Sequence, residues 1–364
     1  MDDRSAVAPR VSALLPVYNG AAHVGAAVES VLAQTFSNFE LLVLDDCSPD
    51  DSAAIAEGFG DPRIRVVRNE RNLGQVATLN RGLRDSGGEY VARLDQDDVC
   101  LPSRFEREVE LLDAEPDVAV VGTWIDVVDE RGRKVDELRT RLDDVVDAIF
   151  LILTNRLPLA HPSVMFRRDA VVAAGGYDEA VKYCEDNDLW RRLALAGHGL
   201  RVVPEPLLRY LVHGGQQSNR HAEEQAANND ASIERFIAAL APDVEARRVR
   251  MTFNRQLDLW DELGTASDGG ALARDLERLV VGAAAHFGLS SDERADLEQR
   301  VRTHVAAAVA SGWRTGVRRW WRTSPPLARF AGAGPRYAAA YAAAPALALA
   351  RAAAGRPSVG GESP

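Results

Sequence analysis

A chain of 364 residues can bury a large core, and 46% hydrophobic with 27% charged residues is the balance of a soluble globular protein. A net charge of -11 excludes general binding to nucleic-acid phosphates. No stretch approaches the about 18 uninterrupted apolar residues of a membrane-spanning helix, and Met1-Asp2-Asp3-Arg4 opens no apolar leader segment. Cys47, Cys100 and Cys184 are too far apart to suggest a disulfide or a metal-ligand pattern, so a reducing, cytoplasmic setting is expected.

Residues 11–16 read as a buried strand running into a turn at Pro16, Val17, Tyr18, Asn19 and Gly20. A helix follows over 21–34, with Val24, Ala27, Val28, Val31 and Leu32 at helical spacing. Residues 39–44 are a second strand that ends in Asp45-Asp46, 51–59 a short helix and 64–67 a third strand. A polar loop over 69–74, a helix over 75–86 and a strand over 90–94 complete the first hundred residues. Strands alternating with helices imply βαβ units and a parallel sheet, whose ligands sit beyond the carboxyl ends of the strands.

The strand at 90–94 ends in Asp95-Gln96-Asp97-Asp98. In an extended segment Asp95 and Asp97 point the same way, and two carboxylates facing one side repel unless a cation lies between them. A hard divalent cation prefers oxygen ligands and bridges to phosphates, so this is a candidate metal and nucleoside-diphosphate site; the alternative is a solvated acidic turn. Pro16–Asn19, Asp45-Asp46 and Asp95–Asp98 all fall on one rim of the expected sheet, and such convergence favours the site. The glycine-rich loops of dinucleotide and P-loop folds are absent after the first strand.

Further along, 103–114 reads as an amphipathic helix, 118–122 as a strand, and 124–136 as a strand and hairpin around Asp129 to Gly132. A helix over 143–154, a strand over 161–167 and a helix over 169–174 follow. Near Asp186 a helix begins whose buried stripe is Leu189, Trp190 and Leu193; acids in its first turn suit the helix dipole, which is a sufficient structural reason for them. Residues 200–203 and 207–210 read as two late strands. Beyond 220 the pattern is helical, over 223–240, 243–263, 270–287 and 291–310. Residues 312–357 carry eight arginines, six aromatic residues and no acid. Such a segment suits contact with an anionic membrane surface, a dock on the acidic body, or disorder.

Taken together, VSALLPVYNG over 11–20, QTFSNFE over 34–40, the Asp45-Asp46-x-Ser48 turn, Asn72-x-Gly74, Asp95-x-Asp97-Asp98 and Glu185-Asp186 resemble the family 2 glycosyltransferases. The resemblance covers roughly residues 9–220. It implies the GT-A fold: a Rossmann-like α/β domain with a mostly parallel central sheet flanked by helices, here with a helical C-terminal extension. It also implies inverting transfer of a sugar from a nucleotide-diphosphate donor, of uridine type, to a hydroxyl of a glycan or lipid-linked acceptor, as in cell-surface polysaccharide biosynthesis. The cofactor implied is Mn2+ or Mg2+.

By that resemblance Pro16, Val17, Tyr18, Asn19, Asp46, Asn72, Asp95 and Gln96 bind the nucleotide sugar. Asp97 and Asp95 hold the metal, joined by His213, for which a purely structural role is the alternative. Asp186 is the catalytic base. Trp124, His161 and Glu185 lie where donor sugar or acceptor is contacted, with core packing the alternative for Trp124. Ser218 belongs to a closing loop. Arg93 departs from the small or aromatic residue often found there and either reaches a phosphate or pairs with an acid. Residues 1–219 are expected as the catalytic domain, 220–311 as a helical extension and 312–364 as a basic, aromatic- and Ala-rich tail, either a membrane-surface or a disordered segment. Two competing readings are a nucleotidyltransferase, disfavoured because 16–20 lacks Lys and Arg, and a non-catalytic nucleotide-sugar-binding protein, which would need no base.

Overall fold

Val11–Val17 (β1), Phe39–Asp45 (β2), Ile64–Arg68 (β3) and Tyr90–Arg93 (β4) are short runs rich in Val, Leu and Ile. They pair parallel in the order β3-β2-β1-β4. β1 and β2 are buried along nearly their whole length, as the middle strands of a covered parallel sheet must be. Val24–Leu32 (α1), Ser52–Glu57 (α2) and Gln75–Asp85 (α3) make the crossovers. α1 buries Val24, Ala27, Val28 and Val31, one face at the 3.6-residue period. The computed structural model describes residues 8–214, 221–254 and 269–312.

The second half of the sheet is mixed. Val99–Cys100 (β5), Arg104–Ala114 (α4), Val118–Val128 (β6), Lys134–Leu138 (β7) and Val145–Leu153 (α5) precede a 3-10 turn at His161–Ser163. Met165–Arg167 (β8), Arg168–Ala173 (α6), Glu185–Leu195 (α7) and Gly199–Leu211 (β9) follow. β8 lies antiparallel between β4 and β6, β9 runs parallel to β6, β5 closes the edge on β9, and β7 pairs with β6.

Two expectations need correction. The strand anticipated over 161–167 begins only at Met165, because Pro162 has no N–H for a ladder and its fixed φ suits the first turn of the 3-10 segment. The two late strands are one, β9, which runs through Pro204 and Pro206. Its register with β6 shifts on either side of Trp124, which pairs with Pro206, so proline falls at an irregularity where a missing donor is tolerated.

A buried arginine fastens the strand that leads to the acidic loop. Arg104, fully buried at the start of α4, donates from Nη2 to the carbonyls of Arg93 and Val164, each at 2.9 Å. Its Nε reaches Glu108, equally buried, at 3.2 Å, and its Nη1 reaches Cys100 Sγ at 3.1 Å. Burial pushes the Glu108 carboxyl up to about 8 even beside this guanidinium, so losing Arg104 leaves that carboxyl and two backbone carbonyls buried without their donor. Arg104→Met is expected to destabilise by about 3–5 kcal/mol, with part of the loss recovered when Glu108→Gln is added. Urea unfolding of the two variants checks this; equal losses would contradict it.

The described residues fall into two compact units. One runs to Phe236 without Leu153–Asn155; the other comprises Leu153–Asn155 and the chain from Ile237 on. Ala222–Leu240 (α8) therefore contributes all but its last four residues to the sheet-containing unit. The second unit holds Ala246–Phe253 (α9), Gly269–Phe287 (α10) and Ser291–Gly312 (α11). α11 starts with a capping box: Glu293 N–H donates to Ser290 Oγ at 3.3 Å, and Ser290 N–H donates to Glu293 Oε2 at 2.8 Å. His304 Nε2 contacts the Phe253 carbonyl at 2.8 Å, linking α11 to α9. No helix among the described residues is long and apolar enough to cross a membrane. The basic segment 313–357, Ser218 with its closing loop, and residues 255–263 of the anticipated helix lie outside the described residues.

Candidate active site

The loops after β1, β2 and β4 are stitched to one another. Asn19 N–H donates to Ser48 Oγ (3.1 Å), Gly20 N–H to Ser52 Oγ (2.9 Å) and Ala21 N–H to Asp50 Oδ2 (2.9 Å). Asn19 has φ 52°, a left-handed conformation that Asn tolerates. Gln96 clamps the first loop from the other side: its Oε1 accepts from Tyr18 N–H at 2.9 Å and its Nε2 donates to the Tyr18 carbonyl at 3.3 Å. A Cβ on Gly20 would lie 2.4 Å from that Oε1, so only glycine leaves room for the clamp. Tyr18 itself remains exposed.

Asp46 is buried at the end of β2 and shapes the loop that covers it. Its Oδ1 accepts from Leu73 N–H (2.8 Å) and Asn69 Nδ2 (2.7 Å), and its Oδ2 from Gly74 N–H (2.8 Å). A carboxylate offers about four acceptor positions, so these three leave one free. Asn72 is exposed on that loop.

Asp95, Asp97 and Asp98 bring one carboxylate oxygen each to within 4.8 Å of one another. His213, which follows the end of β9, places Nε2 2.9 Å from Asp97 Oδ2. Asp98 is buried; its Oδ1 accepts from Leu211 N–H at 2.9 Å, tying the same end of β9 to the acidic loop. No donor among the described residues reaches its Oδ2. Burial, then the charges of Asp95 and Asp97, push the Asp98 carboxyl well above the usual carboxylate range. Sequence reasoning did not single out His23, whose ring lies 5.5 Å from that of His213; no local pattern relates residues so far apart.

Arg93 lies beneath the acids, 1% exposed, in ion-pair contact with Asp95. Among the described residues none of the three guanidinium nitrogens meets an acceptor in good hydrogen-bond geometry, so the contact with Asp95 is mainly one of charge. Of the two sequence alternatives for Arg93, the pairing with an acid is the one seen. Its charge also reaches the first turn of α7. Burial and the neighbouring Asp186 push the Glu185 carboxyl up to about 7, with Arg93 opposing and Asp95 reinforcing the rise. Burial raises Asp186 as well, against hydrogen bonding from Asn187 N–H and the charges of Arg93 and Arg191. The Asp95 and Glu185-Asp186 carboxylates therefore act within one electrostatic neighbourhood, although ninety residues separate them along the chain. Asp186 keeps partial solvent exposure while Glu185 is buried.

His161 and Trp124 are placed differently. His161 Nε2 contacts Tyr177 Oη at 2.9 Å inside the core, and burial, then Arg93, hold it well below its usual range, so it is neutral. Trp124 donates its indole N–H to the Thr140 carbonyl at 3.2 Å and lies under the Arg139 guanidinium. Both are occupied by protein partners.

A family model described as "Glycosyl transferase family 2" matches residues 12–173, which include β1 through β8 and the acidic loop. The chain is 32% identical to the amylovoran biosynthesis glycosyltransferase AmsE of Erwinia amylovora, over 63% of this chain and 86% of that protein. It is also 32% identical to the putative glycosyltransferase EpsE of Bacillus subtilis, over half of this chain, and spans 66% of that relative's length. Among solved structures, S. aureus TarS 1-349 in complex with UDP-GlcNAc shares the fold at TM-score 0.54 and 17% identity, over 84% of this chain and 92% of that one. With a homologous domain spanning most of AmsE and the mixed, mostly parallel sheet of the GT-A fold, the chain belongs to glycosyl transferase family 2 and is a glycosyltransferase.

Proposed function

We propose that this glycosyltransferase moves a sugar from a nucleoside-diphosphate donor, of uridine type, to a hydroxyl of a glycan or lipid-linked acceptor with inversion, in the building of a cell-surface polysaccharide. The observation that carries the reading is the crowding of Asp95, Asp97 and Asp98 after β4 with His213 against Asp97; the charge of buried Arg93, in ion-pair contact with Asp95, also bears on Glu185 and Asp186. The chemistry of the triad fits a divalent cation: three carboxylates crowd together, and Asp98 Oδ2 is buried without a donor. Asp95, Asp97 and His213 would hold Mn2+ or Mg2+. Bound there, the ion supplies Lewis-acid neutralisation of the departing diphosphate, which then needs no proton donor.

The protein's own groups do the rest. Tyr18 and the loop stitched to Gln96 would bed the nucleoside, and the one free acceptor position of Asp46 suits a base N–H. Asp186, deprotonated and partly open to solvent, takes the acceptor's hydroxyl proton as the acceptor oxygen bonds the anomeric carbon and the bond to the diphosphate oxygen breaks. One displacement from the opposite side inverts the centre, with no carboxylate nucleophile. Glu185, buried beside it, would line the sugar pocket. The amylovoran role of AmsE and the UDP-GlcNAc held by TarS support the polymer and the uridine donor respectively.

A thermal screen of nucleotide sugars with Mn2+ or Mg2+ tests the reading. A cognate donor at about 100 times its Kd stabilises by about 2.7 kcal/mol, expected as a rise of roughly 5–10 °C in the melting of the sheet-containing unit. UDP-sugars should shift only with metal present. A metal-independent response, or none to any nucleotide sugar, would remove it.

A further inference from the structure

Away from the donor loops, a polar seam joins α8 to the segment that carries Glu185 and Asp186. Asn228 Nδ2 donates to the Lys182 carbonyl at 2.8 Å. Asn229 Oδ1 accepts from Arg191 Nη2 at 2.7 Å and from the Cys184 thiol at 3.4 Å. Ser232 Oγ and Arg235 Nη2 both donate to Asp188 Oδ1, at 2.9 and 2.7 Å. His221, just before α8, stacks on Tyr183 with ring centroids 4.1 Å apart and planes 8° from parallel. Residues 228, 229, 232 and 235 share one helical face. The partners all lie between 182 and 191, the loop before α7 and its first two turns.

Two features set this seam apart from ordinary helix packing. Asn229, Ser232, Asp188 and Arg191 are all buried, and a buried polar contact is unforgiving of displacement in a way an apolar one is not. Tyr183 has φ 60°, a left-handed conformation that an aromatic L-residue avoids and that surrounding structure must hold in place. Cys184 and then Glu185 and Asp186 follow that strained residue directly.

We propose that residues 228–235 of α8 are a brace that sets the reach of Asp186, with Asn229 as the central positioning residue. This rests on Asp186 being the base, as argued above. The groups whose charge or acidity bears on Asp186 are Glu185 and Arg191 on α7, Arg93 from β4, and Tyr177 and Cys184 from the segment before α7. Of these, Arg191 and Cys184 bind Asn229 directly. Asn229 thus fixes both the start of α7 and one of the two cations that favour an ionised Asp186.

The test compares Asn229→Ala with Asn229→Asp, which keeps an acceptor oxygen of the same shape, in the full chain. The readouts are metal-dependent UDP release from UDP-GlcNAc and amide exchange over residues 182–188. Asn229→Ala is expected to lower kcat by roughly ten- to a hundredfold, the loss a displacement of about 1 Å brings, while KM for the donor stays within about twofold. The acid limb of kcat should move to higher pH, and Asn229→Asp should restore most of kcat. Unchanged kcat and limb in Asn229→Ala, or equal losses in both variants, overturn the brace. If Asn229→Ala does not fold, the surface pair Asn228→Ala with Arg235→Ala decides: a several-fold drop in kcat with faster exchange supports the proposal, and wild-type values refute it. If the wild-type chain releases no UDP, the functional reading is at fault, and the brace then stands or falls on whether Asn229→Ala loses amide protection over 182–188.

Discussion

Asp186→Asn should abolish sugar transfer and leave donor binding nearly intact. The substitution is isosteric and removes only the proton-accepting charge, so the metal-dependent thermal response to a nucleotide sugar should remain within about a degree or two of wild type. Loss of a general base removes about 10²–10⁴ of rate. The companion change Glu185→Gln separates the two acids. Both carboxyls are raised by burial, and Glu185 sits at about 7. A base works only when ionised, so activity falls as pH drops through these raised values, and the acid limb should lie above the ordinary carboxylate range. Glu185, held at about 7 in part by the Asp186 charge, is still protonated while Asp186 ionises, so Glu185→Gln should leave that limb in place while transfer persists. A kcat/KM profile against pH for the two variants checks both statements; transfer that survives Asp186→Asn but not Glu185→Gln would exchange their roles.

The second large effect is expected at Asp97. Its carboxylate sits with Asp95 and Asp98 and against His213, so Asp97→Asn removes both a ligand oxygen and a charge from the triad. Loss of a mere supporting partner weakens a metal site about 10–100-fold, and loss of a ligand should exceed that. Titration of Mn2+ followed by calorimetry is expected to show at least this drop, and the thermal response to a UDP-sugar should vanish with it. The sign in the metal-free protein is opposite. Fewer crowded carboxylates mean less repulsion, so the metal-free variant should melt no lower than wild type. Undiminished Mn2+ affinity in Asp97→Asn would place the cation elsewhere.

Much of this site was readable before any coordinates. The strands β1, β2 and β4 announce themselves because apolar runs stop abruptly at polar turns, and those turns all fall at carboxyl ends, where a parallel sheet gathers its ligands. Other parts carried no local mark. β5 is two residues long and exists only because β9 lies beside it. The Pro-Glu-Pro run at 204–206 reads as a break, yet β9 passes through it because the register of β6 slips at the same point. His161 looks available in sequence but is spent on Tyr177, a contact set by how the 3-10 turn before β8 meets the loop before α7.

What the sequence determined by itself, then, is the alternation of strands and helices through β4 and the place of the acids at the strand ends, since both are written in the spacing of a few neighbouring residues. Only the tertiary structure decided that Arg93 pairs with Asp95 while its charge bears on Glu185 and Asp186, that Asp46 is three parts occupied by the 73–74 backbone and Asn69, and that Asn229 holds Cys184 and Arg191. Those contacts join residues brought together by chain reversal, and the burial that shifts their charges exists only once the sheet and its helices have closed around them.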